Sequence, residues 1–308
     1  MANTPDTTLL VNYAGTYRQQ LITRLVNGLQ VVTDCTLRPN IKVQENMTKL
    51  FVNGTVKPAS GTRTTTADNI KYEPRSLTVQ LAQYDLDINT VQARKTWMGQ
   101  VMKPGVNPTE LPFEQTTWQA VMDDFGTKIN DNTVWNGVRN DAGTGVLDIA
   151  NGFGTIIKKE IQDQKITPVV TGTMLTDTVE KAEAVYKSLP SKYRATKMFM
   201  YCSFDVYDAY CEDYATRFGL QPIYDKFGQV AIRHSNGNCI LKPVTWIPSG
   251  VERVVVTPQS NMLVGTDLLS DATRINTHPT LYTLEAGIIM AFGLQIEDLE
   301  PLAVNDHL

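Results

Sequence analysis

The stretch from Pro112 to Gly137 reads PFEQTTWQAVMDDFGTKINDNTVWNG, and its reading frames the rest of the chain. Trp118, Val121, Met122, Phe125 and Ile129 fall at i, i+3, i+4, i+7 and i+11. That spacing makes one apolar stripe of a helix, with Asp123, Asp124 and Lys128 off it. Pro112 suits a first helical turn and Gly137 an exit. A helix over 112–136 is about 36 Å long at 1.5 Å per residue, the span of a small domain. A beam of that length needs apolar partners along one side.

On its N-terminal side, residues 1–43 begin with a polar tail, Met1 to Asp6. A helix is predicted next, with Tyr17, Leu21, Leu25 and Leu29 at spacing four and Gly28 as its stop. Cys35 to Val43 reads as extended chain around Pro39. Residues 44–82 read as a long two-stranded ribbon. Leu50-Phe51-Val52 runs into Asn53-Gly54 and Thr55-Val56, a tight-hairpin signal, and Ser60 to Asn69 is polar throughout. Beyond Pro74, Leu77, Val79 and Leu81 share one face while Thr78 and Gln80 take the other. Such a ribbon is marginal alone in water, so its support is expected from a neighbouring subunit.

On the C-terminal side, 138–172 is glycine-rich, with Gly143, Gly145, Gly152 and Gly154, and reads as an irregular connector. An α/β lobe follows. Asp177 to Leu189 is a predicted helix with Asp177 and Glu180 at capping-box spacing, closed by Pro190. Lys197 to Cys202 is a predicted strand. Ser203 then caps a helix carrying Val206, Tyr207, Tyr210, Cys211, Tyr214 and Phe218, ended by Gly219. Further strands are predicted over Val230–Arg233, Cys239–Ile247, Arg253–Thr257, Met262–Thr266 and Leu281–Ile296.

Composition narrows the function. The 308 residues are 42% hydrophobic and 19% charged, which suits a folded chain with room for two lobes. A net charge of -4 argues against a dedicated nucleic-acid binder, because phosphate neutralisation needs clustered Lys and Arg. No basic leader stands at the start. The longest apolar run, Ala286 to Leu294, is well short of the roughly 20 residues that cross a bilayer. Cys35, Cys202, Cys211 and Cys239 are scattered and read as reduced, buried thiols of a cytoplasmic product.

No chemistry emerges from the motifs. His234, His278 and His307 lie apart, GxSxG is absent, and neither HxxxH nor CxxC occurs. Asp85, Asp87 and Asn89 resemble the start of a calcium loop, yet Thr90 stands where Gly is needed and Thr96 where Glu is needed. Tyr84, Leu86 and Ile88 alternate with them, so a half-buried strand is the better reading. Gly152-Phe153-Gly154 lacks the GK[ST] of a phosphate loop. Tyr207, Tyr210, Tyr214 and Phe218 read as core, and the adjacent Asp123 and Asp124 point apart and cannot act as an acid–base pair. No catalytic, cofactor-binding or metal residue is assigned, and no cofactor.

The order of parts carries a resemblance. An arm, a long ribbon and a helix ending Asn132-Thr133-Val134-Trp135-Asn136-Gly137 come first, then Gly152-Phe153-Gly154-Thr155-Ile156-Ile157. An α/β lobe follows with Leu241-Lys242-Pro243-Val244 and VVVTPQSNMLVGTD over Val254–Asp267. This order resembles tailed-bacteriophage major capsid proteins of the Hong Kong 97-type fold, an α+β class. The resemblance implies an N-terminal arm (1–43), an extended loop over a neighbour (44–82) and a peripheral domain (83–150) with spine helix 112–136. It further implies an axial domain (151–266) and a return to the peripheral domain with C-terminal strands (267–308).

The function implied is a non-enzymatic subunit. It would pair with itself in hexamers and pentamers and enclose double-stranded DNA without specific recognition, away from any membrane. Its place would be the virion, after assembly in the host bacterial cytoplasm. A portal is an expected partner, and so is a separate scaffolding protein, since the ribbon follows the start too closely for a long scaffold segment. An encapsulin-like compartment shell and a soluble α/β hydrolase are the alternatives. Some relatives join a loop lysine to a neighbour's asparagine. Here Lys49, Lys57 and Lys71 with Asn276, in a turn, are the candidates, and polar or acidic flanks around Lys57 and Lys71 favour non-covalent shells.

Overall fold

The computed structural model describes residues 7–52, 56, 58–59, 61, 70–89, 113–222, 228–267, 274–280 and 283–307. The N-terminal helix arrives as three: α1 (Thr7–Thr16), α2 (Arg18–Gly28) and α3 (Gln30–Asp34). Leu21, Leu25 and Leu29 are buried as their spacing requires, but Tyr17 sits at the first break and is exposed. α2 ends at Gly28, where the stop was expected. The second break is Leu29, whose backbone is extended (φ −73°, ψ 114°) before α3 resumes.

The beam is α4 (Phe113–Lys128), prolonged by a π-helical turn, Ile129–Thr133, and a last turn, Val134–Asn136. Pro112 lies outside the described residues. Trp118, Met122, Phe125 and Ile129 are buried, and the indole of Trp118 donates to the Leu10 carbonyl at 3.1 Å, tying α1 to α4. Asn130, on the π turn, reaches both the backbone N–H of Val31 (3.4 Å) and the Thr245 hydroxyl (2.9 Å).

The stripe of α4 faces the first sheet. Its strands are β1 (Thr36–Arg38), β4 (Gln80–Asn89), β8 (Met262–Thr266), β9 (Arg274–Pro279) and β10 (Thr283–Ile296). Their order is β1-β8-β10-β4, with β9 also on β10. β10 sends Leu284, Ala286, Ile288, Met290, Phe292, Leu294 and Ile296 into the core shared with α4. Tyr84, Leu86 and Ile88 point the same way while Asp85, Asp87 and Asn89 point out, so this segment is a strand and not a calcium loop. Only Thr36–Arg38 of the extended 35–43 segment is a strand, and Asn40 turns out of it with φ +67°.

The second sheet orders β11 (Ala303–Val304), β7 (Val255–Thr257), β5 (Met198–Cys202) and β6 (Cys239–Pro243) as β11-β7-β5-β6. It divides two cores. Met198, Met200, Cys202, Val254, Val256 and Ala303 face one, with α6 (Thr178–Lys187), the short α7 (Ser191–Arg194) and α8 (Phe204–Phe218). Tyr201, Val255 and Val304 face the other, with α4 and Trp246. A sheet covered on both faces needs largely apolar strands, and these have them except at Lys242 of β6, whose ammonium is paired with Asp34.

Several local expectations change. Gly152 and Gly154 do not open an irregular connector, because α5 (Phe153–Gln162) starts between them. They are small for packing: a Cβ on Gly152 would lie 2.4 Å from the Trp135 carbonyl oxygen. Asp177 does not cap α6. It adopts φ +53° and its carboxylate meets Arg217. Ser203 makes no side-chain cap either, since its hydroxyl donates to the Val251 carbonyl at 2.8 Å. Gly219 does end α8, at φ +63°. Val230–Arg233 contributes only a bridge from Ala231 to Ile240. The Cys239 strand stops at Pro243, which has no N–H to donate, and Val254 stays out of β7 because Asn305 Oδ1 takes its N–H at 2.9 Å. Three cysteines are buried as expected, but Cys211 is half-buried.

Candidate assembly interface

The ribbon is formed by β2 (Gln44–Val52) and β3 (Ile70–Thr78), paired antiparallel along their length. Val52 faces Ile70 at the outer end of the described ladder. Asn53-Gly54 and the polar tip around 62–69 lie outside the described residues. Directly paired residues share a face. One face therefore carries Thr48–Pro74, Leu50–Tyr72 and Val52–Ile70, and these last four side chains are half or more exposed. Pro74 is tolerated because a two-stranded ribbon is all edge. The alternation expected beyond it breaks at Val79, where the chain passes from β3 to β4: Leu77 and Val79 are buried but Leu81 is exposed.

The opposite face lies on the body. Leu77 and Met47 join Ile41, Val79, Leu263 and Ala291 in a small apolar cluster at the root. Further out the contacts are ionic. Lys49 Nζ lies 2.6 Å from both carboxylate oxygens of Asp298 and 2.9 Å from Glu300. Arg75 meets Glu160 at 2.9 Å and donates to the Ile296 carbonyl at 2.9 Å. Hydrogen bonds from Lys192 and then Lys49 hold Glu300 down to about 2. Burial works against the Lys49 ammonium, but its bonds to Asp298 and Glu300 prevail and its pKa rises. Lys49 thus stays charged and is a poor nucleophile. The sequence reading missed this cluster. Its only signal was the period-2 spacing of Met47 and Lys49 along a strand, since Asp298 and Glu300 lie some 250 residues away.

The remaining candidates disperse. Lys57 lies outside the described residues. Asn276 is in β9 opposite Gly287, not in a turn, and Glu285 on the same face is exposed beside His278. His234 meets Glu183 at 2.8 Å and His307 lies 4.0 Å from Glu252, so the three histidines stay apart. Among the described residues no group of three or more His, Cys, Asp or Glu stands together as a metal site, and no helix is long and apolar enough to cross a membrane. Tyr210 and Tyr214 are core, whereas Phe218 is exposed under the Arg233 guanidinium, 4.5 Å from its ring centre. Asp123 binds Arg24 and Asp124 binds Lys128, in different directions.

No protein-family model matches the sequence, and no curated protein matches it. Solved structures do. The satellite phage P4 procapsid aligns over 94% of this chain and 98% of its own, with a TM-score of 0.58 at 14% identity. The capsid of an empty GTA particle aligns over 90% and 89%, with a TM-score of 0.57 at 10% identity. The chain has a phage capsid fold. The capsid of Myoviridae phage XM1 supports the same assignment, with 91% and 92% covered, a TM-score of 0.54 and 11% identity. The capsid fold here is α+β, and the match runs nearly end to end in both directions, so it takes in both sheets and α4 together.

Proposed function

We propose that this chain is the structural subunit of an icosahedral phage head, associating with itself around five- and six-fold centres and catalysing nothing. The observation that carries this reading is the ribbon. One of its faces is fixed to its own subunit while Leu50, Val52, Ile70 and Tyr72 stay uncovered on the other, within a fold that matches capsid chains end to end. An apolar row of that kind on a two-stranded ribbon is a natural contact for a second copy.

In this reading the layout is of the Hong Kong 97 type. Residues 1–43 form the arm, 44–82 the loop over a neighbour, 83–150 the peripheral domain built on α4, 151–266 the axial domain and 267–308 the return. The shell would enclose double-stranded DNA and join a portal in the virion, after assembly in the host cytoplasm. A separate assembly protein is part of the proposal. The P4 procapsid is recorded with a size determination protein, which is the kind of partner meant. Negative-stain microscopy of the expressed protein tests the reading. Shells, tubes or capsomer rings are expected from the full chain, and soluble monomers that neither associate nor respond to a co-expressed assembly protein would overturn it. Deleting Lys57 to Asn69 should leave a folded chain that builds no normal particles.

A further inference from the structure

We propose that the ribbon is held against its own subunit by a releasable ionic latch, Lys49 on Asp298 and Glu300 and Arg75 on Glu160, so that screening of these charges frees it. This concerns the single chain and does not depend on whether the chain builds shells.

The argument follows the ribbon outward from its base. At the base the attachment is apolar and tight. Leu77 and Val79 are buried with Ile41 and Leu263, and Val79 donates its N–H to the Val43 carbonyl at 3.0 Å. Core strand β10 comes so close here that a Cβ on Gly293 would lie 2.3 Å from the Thr78 carbonyl oxygen. The pivot is therefore fixed by packing, which salt does not weaken.

Two residues further along, the character of the contact changes. The inward side chains are Arg75 opposite Met47 and Lys49 opposite Glu73. Each cation reaches a different part of the body. Arg75 finds Glu160 at the end of α5, and Lys49 finds Asp298 and Glu300 in the segment after β10. Glu300 is itself held by Lys192 and Glu160 by Lys165, so both acceptors are fixed by body cations before the ribbon arrives. Between the two attachments is a cavity of about 380 Å³ lined by Lys49, Glu73, Arg75, Lys165, Asp298 and Glu300. Charged walls around such a volume admit water and ions. The Lys49 pairs, with side chains 24–35% exposed beside this hydrated cavity, are open to screening, unlike a packed apolar seam. Arg75–Glu160, at 15% and 12%, is the more covered of the two attachments.

Two charge contacts, with hydrogen bonds from Arg75 to the Ile296 carbonyl (2.9 Å) and from Gln295 to the Ser76 carbonyl (2.8 Å) nearer the base, thus set the angle of the ribbon about a rigid pivot. Losing them leaves the β2–β3 ladder intact and changes only where its outer row, Leu50, Val52, Ile70 and Tyr72, is presented.

Electron–electron distance measurements on the full chain test this. Spin labels are placed at Val52→Cys on the ribbon and Lys158→Cys on α5, in a Cys211→Ser background and diluted with unlabelled protein. Cys35, Cys202 and Cys239 are buried and take no label. At about 0.01 M salt, where charges act over about 30 Å, one narrow distance is expected. At about 1 M salt, with a screening length of about 3 Å, the distribution should broaden to at least twice that width. Lys49→Met with Arg75→Met should give the broad distribution at both salts, and Lys49→Arg should keep the low-salt narrow one. A distribution that stays narrow in the double variant and at high salt, or is already broad in the unaltered ribbon at low salt, overturns the proposal.

Discussion

The indole N–H of Trp246 donates to Asp34 Oδ2 at 3.0 Å, and both residues are buried. Lys242 Nζ lies 2.8 Å from the other oxygen of the same carboxylate, and the Tyr201 hydroxyl donates to the Asp34 carbonyl at 2.8 Å. Asp34 ends the N-terminal helices, whereas its three partners all lie in the second sheet or just beyond it. One residue therefore fastens the N-terminal helices to the second sheet.

Asp34→Ala strands a partly buried ammonium and a buried indole N–H together. Removing one member of a buried pair costs about 3–5 kcal/mol, and Lys242, partly reached by water, moves the expectation to about 3 kcal/mol. Urea midpoints read this directly. A loss under about 1 kcal/mol would show that the node is solvated.

Trp118 is wholly buried on α4 and holds α1 through the Leu10 carbonyl. Trp118→Ala should cost about 3–5 kcal/mol. Lys128→Ala, which removes only an exposed pair with Asp124, should cost under about 1 kcal/mol. Equal shifts in thermal midpoint for the two variants would contradict the packing described.

Gly152 and Gly28 should respond oppositely to alanine. At Gly152 the new methyl meets the Trp135 carbonyl at 2.4 Å, so the start of α5 must move and the chain should lose stability. At Gly28, in α2, nothing lies within 4 Å, and alanine should add about 0.4–1 kcal/mol by restricting the unfolded chain. Denaturant titration of both variants decides the signs.

Acid should weaken the fold partly through Glu300. Its folded value of about 2 lies below the unfolded 4.5, so the folded chain binds this proton more weakly. Its contribution is full above about 4.5 and is lost as pH falls toward 2. Glu300→Gln should flatten the dependence of the denaturant midpoint between those limits and leave its slope near neutrality unchanged. An unaltered acid profile would count against the Lys192–Glu300–Lys49 contact.

Assembled particles boiled in detergent should run as one band near 34.3 kDa. Lys49 is held charged by Asp298 and Glu300, and Glu285 beside Asn276 is exposed rather than desolvated. A ladder of multimers resistant to reducing agent would reveal a covalent bond between chains.

The residues that made the fold legible are those whose periodicity is local. The stripe of Trp118, Met122, Phe125 and Ile129, the alternation of Tyr84, Leu86 and Ile88, and the apolar run Met262-Leu263-Val264 each specify an element without reference to distant chain. The ribbon was legible in part: β2 and β3 pair as expected, but the pairing ends at Thr78 and not at residue 82, because the chain passes into β4 of the first sheet. The capsid fold was legible only as an order of parts, and no single motif carried it.

Where local signals failed, a distant partner had intervened. Asp177 has the spacing of a cap but turns to Arg217, forty residues away, and Gly152 reads as slack but is small because Trp135 packs against it. Lys49 gave no sign that Asp298 and Glu300 would meet it. The sequence by itself determined the elements with a strong local period, α4 and β4 among them, since hydrophobic period and backbone preference act over a few residues. Only the tertiary structure decided which charges meet and which glycines are crowded, because Coulomb attraction and steric contact depend on distance in space rather than along the chain.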